Sequence, residues 1–332
     1  MAERFEKRKQ HLQQMCADPE IAATDKNVFP MKQLPVAFTR LQWCQVPKVG
    51  TSFIKFQMQQ ELKSWKSLHQ NEIKLIDKQN RKSFVFVREP YSRLISAYLG
   101  KVVTAPTWWR HLGQRVMKMS GALNSKSNWA EKCAIYATFE DFIKYFIASE
   151  NTGSGRDWHI IPIHDQCGLC QYNYTFIGHL ETFTEDLDFI LRSVNISINI
   201  ASQEEGVITR KAQEALDEGS WHIEQCTNKH TMMKKVWFSF QARGFIPESL
   251  ELPISEKESL KITSEQFGHI MVQTWKDSKG NFDSKKQKRK IMEELYQQVS
   301  LKDRLTVQKI LEKDFLLSQY NPQPPEVFPE FL

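Results

Sequence analysis

Two short segments of this 332-residue chain carry residue types at spacings that suit the handling of phosphate or sulfate groups. Pro47-Lys48-Val49-Gly50-Thr51-Ser52 reads as a turn between a strand and a helix. Such a turn aims free backbone N–H groups and the positive helix end at one point. Lys48 adds a point charge, Thr51 and Ser52 add hydroxyl donors, and Gly50 lets the backbone approach closely. The spacing is not that of a nucleoside-triphosphatase loop, which places its lysine after the second glycine. The second segment, Arg88-Glu89-Pro90-Tyr91-Ser92-Arg93-Leu94-Ile95-Ser96, begins where an apolar strand ends. An arginine there forks two N–H groups onto a second phosphate, with Ser96 two turns into the following helix on the same side. Arg93 is expected to make a structural ion pair rather than touch a ligand.

The six cysteines include a CxxC pair, Cys167 and Cys170, with three open readings. Zinc lacks a second CxxC, although His159 and His164 stand near. A thioredoxin-like pair would open a helix after a strand, whereas this one sits in a loop-like stretch after Pro162. Structural disulfides require an oxidising compartment, and six cysteines allow fifteen pairings. The sequons Asn173-Tyr174-Thr175 and Asn195-Ile196-Ser197 lean the same way.

The elements that must position these residues follow a strand-then-helix rhythm. Phe38 to Val46 alternates as a strand, and Phe53 to Trp65 has helical spacing. Ser83 to Val87 is an apolar strand of the buried parallel type, and Tyr91 to Val103 a helix. Tyr174 to Leu180 is a third strand, followed by a helix from Thr184, its expected N-cap, to Val194. Three such units imply an α/β fold with a parallel sheet. Thr138 opens an amphipathic helix through Ile147, and Leu301 to Tyr320 reads as one helix striped by Leu305, Ile310, Leu311, Phe315 and Leu316. Residues 200–290 are polar and weakly periodic. The expected organisation is a polar lead-in over 1–37, then a single domain over 38–325 that includes this divergent insert.

Composition sets the outer limits. Hydrophobic residues at 41% and charged residues at 25% belong to an ordinary globular chain, which excludes disorder and fibrous repeats as its main character. A net charge of +6 favours anionic partners without resembling a nucleic-acid-binding tail. No run approaches 18 apolar residues, and Met1 to Gln14 has no signal-peptide core. Residues 101–132 hold Lys101, Arg110, Arg115, Lys118, Lys126 and Lys132 against Glu131, with Trp108-Trp109 among them, a surface suited to an anionic sugar. Lys285 to Lys290 is a second basic run, without a specific motif.

Val46-Pro47-Lys48-Val49-Gly50-Thr51-Ser52 resembles the 5′-phosphosulfate loop of the Golgi carbohydrate sulfotransferases. Phe86-Val87-Arg88-Glu89-Pro90-x-x-Arg93-Leu94-x-Ser96-Ala97-Tyr98 resembles their 3′-phosphate motif. The nearest branch is the HNK-1, chondroitin 4-O and dermatan 4-O group. The likeness continues through Thr138 to Phe142, Cys167-x-x-Cys170, Phe176 to Thr182, and Lys313-Asp314-Phe315 with Tyr320. Phe53 departs from it, standing where the family often has tryptophan.

The resemblance implies a P-loop-like sulfotransferase fold, a central parallel sheet flanked by helices. It implies 3′-phosphoadenosine 5′-phosphosulfate (PAPS) as sulfate donor, with no metal, and a glycan acceptor, chondroitin- or dermatan-like or a glycoprotein glycan. Lys48, Val49, Gly50, Thr51 and Ser52 would hold the 5′-phosphosulfate, Arg88 and Ser96 the 3′-phosphate. His159, three residues before Pro162 and eight before Cys167, matches the family's histidine and is the expected general base; His164, Asp157 and Asp165 stand as alternatives. The family's tryptophan follows its histidine, whereas Trp158 precedes His159 here. Relatives are type II membrane proteins of the Golgi lumen, so either an anchor upstream of Met1, the favoured reading, or an anchorless form is expected. Two other readings stay open: a non-catalytic glycan- or nucleotide-binding relative, and a cytosolic sulfotransferase of small acceptors.

Overall fold

The computed structural model describes residues 1–23, 33–35 (backbone only), 41–55, 82–122, 133–196, 204–217 and 226–331. The chain forms two compact units, one from residues 1–93, 158–202 and 311–322, the other from 94–157, 203–310 and 323–332.

Among the described residues, the first unit is built on a four-stranded sheet in the order β1 (Gln33–Pro35), β2 (Leu41–Cys44), β3 (Lys82–Val87) and β4 (Phe176–His179). β2, β3 and β4 run parallel, with Trp43 opposite Phe84 and Val87 opposite His179. The run Phe84-Val85-Phe86-Val87 is buried on both faces, which is why it is apolar without alternation. Trp43 stacks on Phe84 at 5.8 Å. Of the expected strand from Phe38 to Val46, Leu41–Cys44 is strand and Gln45 and Val46 are not, while 38–40 lie outside the described residues. Likewise 51–55 are helical and the remainder of the expected Phe53 to Trp65 helix lies outside them. β1 pairs antiparallel with β2, an edge that the polar lead-in did not suggest.

The N-terminal segment is built into this unit. Helix Ala2–Cys16 buries Phe5 and Leu12 in the sheet's core, and Cys16 is bonded to Cys170. Arg8 donates to Asp186 Oδ2 at 2.6 Å and to the Ile177 carbonyl at 3.0 Å. Asp186 belongs to helix Phe183–Arg192, whose N-cap position is Thr182 rather than Thr184. The Thr182 hydroxyl donates to Asp186 Oδ2 at 2.7 Å, so this end is held by a side-chain network instead of a hydroxyl cap.

The second disulfide joins Cys44 at the end of β2 to Cys167, and the third joins Cys133 to Cys226. The two cysteines of the CxxC therefore pair with different partners. That removes the zinc and dithiol readings, since neither sulfur is a free thiolate, and all six cysteines are bonded.

The second unit is helical. Helix Phe139–Thr152 opens with the expected Thr138: its hydroxyl accepts from the Asp141 amide at 3.1 Å, and Asp141 Oδ2 accepts from the Thr138 amide at 2.9 Å. Within 200–290, helices Glu204–Asp217, Lys229–Ala242 and Ser264–Ser278 pack around Ile208, Ala212, Met232, Met233, Val236, Trp237, Phe240, Phe267 and Met271. Asn228 and Thr263 cap two of them. The basic run Lys285 to Lys290 lies on helix Ser284–Gln297, where Lys290 pairs with Glu248 at 2.8 Å.

The expected C-terminal helix is two helices, Leu301–Ile310 in the second unit and Glu312–Ser318 in the first. Leu305 and Leu316 are exposed, while Val307, Leu311, Asp314, Phe315 and Leu317 are buried. The observed inward face differs from the expected stripe because a carboxylate, Asp314, occupies one of its positions. Among the described residues no helix is long and apolar enough to cross a membrane.

Candidate functional site

Three parallel strands of the first unit deliver three segments from their C-terminal ends, the edge at which open α/β sheets bind ligands. β2 leads into Pro47 to Ser52, β3 into Arg88-Glu89, and β4 into Leu180 and Glu181.

The first segment is a tight loop. Lys48 takes the left-handed region at φ 70° and Gly50 at φ 87°. For lysine that conformation costs about 1 kcal/mol, held here by buried Pro47 and Val49 on either side. Gly50 is required twice over: its φ is positive, and a Cβ would stand 2.5 Å from the Phe183 ring. The Gly50 carbonyl accepts from the Phe53 and Ile54 amides, which starts the helix at Thr51 and leaves the first amides of that turn without intrahelical partners. Thr51 is buried and its hydroxyl donates to the Val46 carbonyl, so it closes the loop and only its amide is left for a ligand. Ser52 is exposed, and Lys48 and Gly50 are half-buried.

Arg88 and Arg93 have opposite surroundings. Arg93 is 2% exposed. It donates to the Pro47 carbonyl at 3.3 Å, the Ile161 carbonyl at 2.8 Å and Gln166 Oε1 at 3.4 Å. These acceptors tie the Lys48 loop to the segment that follows His159. Arg88 is half-buried, and among the described residues its guanidinium makes one hydrogen bond, to the Lys48 carbonyl at 3.0 Å. Burial pulls its pKa down while Glu181 and Glu89 oppose that shift. Glu89 itself is raised by burial, and its carboxylate accepts from the Tyr91 amide at 2.9 Å and the Ser92 amide at 2.6 Å, capping helix Pro90–Tyr98. Ser96 is buried on the part of that helix that belongs to the second unit.

His159 is half-buried in a turn, its ring edge-on to exposed Trp158 with centroids 6.3 Å apart. The alternative His164 is built into the fold instead. Its Nδ1 lies 2.8 Å from Asp314 Oδ1 and its Nε2 3.2 Å from Asp165 Oδ1. Burial alone would lower its pKa, but the hydrogen bonds to Asp165 and Asp314 prevail and push it up to about 9. Asp314 also accepts from the Ile163 and His164 amides at 2.7 and 2.8 Å, satisfying the start of helix Ile163–Cys167. His164 is thereby held in place through both its ring and its backbone amide. The expected sugar surface is only partly supported: Trp109 is fully buried with its Nε1 donating to the Val102 carbonyl at 2.7 Å, and Lys101 Nζ lies 4.0 Å from the Trp108 ring centroid. Lys126 and Lys132 lie outside the described residues.

Residues 38–236 match the model of the sulfotransferase family. The chain belongs to that family. Its relatives include carbohydrate sulfotransferase 14 of Danio rerio, 30% identical over 114 residues that cover 33% of this chain and 29% of that protein. Carbohydrate sulfotransferase 10 of Danio rerio is 29% identical over 34% of this chain and 33% of its own length. Human carbohydrate sulfotransferase 9 is 30% identical over 33% of this chain and 24% of its own. Each match thus spans a third or less of the relative. No solved structure matches the chain. The α/β sheet with its parallel strands and flanking helices agrees with the family assignment. Sequence reasoning missed Glu181 and Tyr320 as members of this strand-end cluster, although both lie in stretches that carry the resemblance: Tyr320 Oη donates to Glu181 Oε2 at 2.6 Å.

Proposed function

We propose that this chain transfers the sulfuryl group of PAPS to a hydroxyl of a glycan acceptor in the Golgi lumen. The observation that carries the reading is the contrast between Arg93, whose donors are taken up by the fold, and Arg88, whose half-buried guanidinium keeps N–H groups to spare beside the Lys48 carbonyl. A built, partly desolvated fork of this kind suits a phosphate. The left-handed pair Lys48 and Gly50, ahead of free helix-start amides, suits a second anionic group.

When bound, PAPS supplies an activated sulfuryl group on a phosphate leaving group. Lys48 and the amides of Val49, Gly50, Thr51 and Ser52 hold that end and oppose the negative charge that develops on the bridging oxygen. Arg88 holds the 3′-phosphate and so fixes the donor's register. His159 takes the proton of the acceptor hydroxyl, and exposed Trp158 beside it offers an aromatic face to the sugar. Three disulfides favour an oxidising lumen over a cytosolic small-molecule enzyme. The relatives' names place their own acceptors among carbohydrates, and the same class is assigned here.

The test is calorimetric titration with adenosine 3′,5′-bisphosphate, the product of the donor. The parent chain should bind it, and Arg88→Ala should weaken binding sharply. Unchanged binding by that variant would remove the 3′-phosphate assignment.

A further inference from the structure

Arg88 faces two carboxylates without pairing with either. Val87 and His179 are opposite one another on β3 and β4, so Arg88-Glu89 and Leu180-Glu181 leave the sheet from neighbouring strands. Glu181 and Glu89 both attract the guanidinium, yet among the described residues no ion pair joins Arg88 to Glu181. The oxygens of Glu181 are engaged elsewhere. Oε1 accepts from the Glu89 amide at 3.2 Å, and Oε2 from the Tyr320 hydroxyl at 2.6 Å. The Tyr320 ring is fixed against His179, with centroids 5.2 Å apart. Glu89 is occupied too, by the Tyr91 and Ser92 amides.

An anion site beside a mobile carboxylate loses affinity, because the carboxylate competes for the same fork. We propose that Tyr320 is a positioning residue for donor binding: by holding Glu181 it keeps that carboxylate from closing on Arg88 and leaves the guanidinium to the donor's 3′-phosphate. The inference rests on Arg88 as the 3′-phosphate ligand. The segment after helix Glu312–Ser318 thereby reaches the donor site through a single hydroxyl.

The experiment compares adenosine 3′,5′-bisphosphate with adenosine 5′-monophosphate, titrated into the full chain and its variants. Tyr320→Phe keeps the ring on His179 and removes the restraint. It should weaken the bisphosphate about fivefold to tenfold, the effect of a charge-assisted bond partly lost, and leave the monophosphate within about twofold. The double variant Tyr320→Phe with Glu181→Gln should regain parental affinity, since the released side chain no longer carries charge. Glu181→Gln alone, a check independent of whether the tyrosine variant folds, should bind the bisphosphate at least as tightly as the parent. Tyr320→Phe with parental bisphosphate affinity overturns the proposal, as do equal losses for both nucleotides, a double variant without rescue, or weaker binding by Glu181→Gln. An Arg88→Ala variant that still prefers the bisphosphate as the parent does removes the underlying assignment instead.

Discussion

The Arg88 guanidinium donates to the Lys48 carbonyl across 3.0 Å, joining the segments that leave β3 and β2. The accepting carbonyl belongs to the residue whose backbone is left-handed. Arg93 adds a second tie, through the Pro47 carbonyl.

That division of labour separates two arginine variants. Arg88→Ala should lose donor affinity by about 2–4 kcal/mol, the cost of removing a charged partner from a phosphate, and lower the melting temperature less than Arg93→Ala, since it strands one carbonyl, that of Lys48. Arg93→Ala should strand the Pro47 and Ile161 carbonyls and lower the melting temperature by several degrees, about 1–3 kcal/mol. Thermal melts paired with bisphosphate titrations read both.

Gly50→Ala meets two penalties, a positive φ and a clash with Phe183 at 2.5 Å. The loop must open, so bisphosphate binding and stability should fall together, the latter by more than about 1 kcal/mol. A variant that keeps both would show that the loop tolerates another path.

His164 gives a pH signature. Its folded pKa is raised to about 9 from an ordinary 6.5, with burial opposing and the bonds to Asp165 and Asp314 prevailing. The stability that its charge contributes is fully present below about pH 6.5 and is lost as pH rises through 9, a few kcal/mol at most. Melting temperature should therefore fall over that window, and His164→Gln, which cannot titrate, should flatten the fall. A parental profile in the variant would exclude His164 as the source.

The sheet and its strand-end site were legible because their signals are local. The apolar run Phe84 to Val87 and the turn residues at Lys48, Gly50 and Arg88-Glu89-Pro90 mark strand ends directly. What stayed hidden depends on partners distant in sequence. Asp314 sits in an apolar stripe because it serves the Ile163 and His164 amides, and Phe5 and Leu12 are sparse apolar residues on a charged helix. The helices of 200–290 carried readable caps in Asn228 and Thr263, and the spacing Met232, Val236, Phe240 is helical. Their polar remainder diluted that signal. The disulfide pattern crosses spans of 154, 123 and 93 residues, beyond the reach of any local reading.

Those bridges carry a prediction as well. Intact mass before and after reduction and alkylation should show no free thiol in the native chain. Cys16→Ser with Cys170→Ser should free helix Ala2–Cys16 and cost about 2–5 kcal/mol by thermal or denaturant unfolding. Unaltered stability would mean that the Arg8–Asp186 network holds the helix without the bridge.

The most direct measurement is transfer of radiolabelled sulfate from PAPS to chondroitin, dermatan and desulfated heparin, run for the parent chain with Lys48→Ala and His159→Ala beside it. The parent should label a glycan, Lys48→Ala should lose nearly all transfer, and His159→Ala should lose turnover while it retains bisphosphate binding. A parent chain that binds the bisphosphate yet labels no acceptor would contradict the proposed function, and would make this family member a binding protein rather than an enzyme.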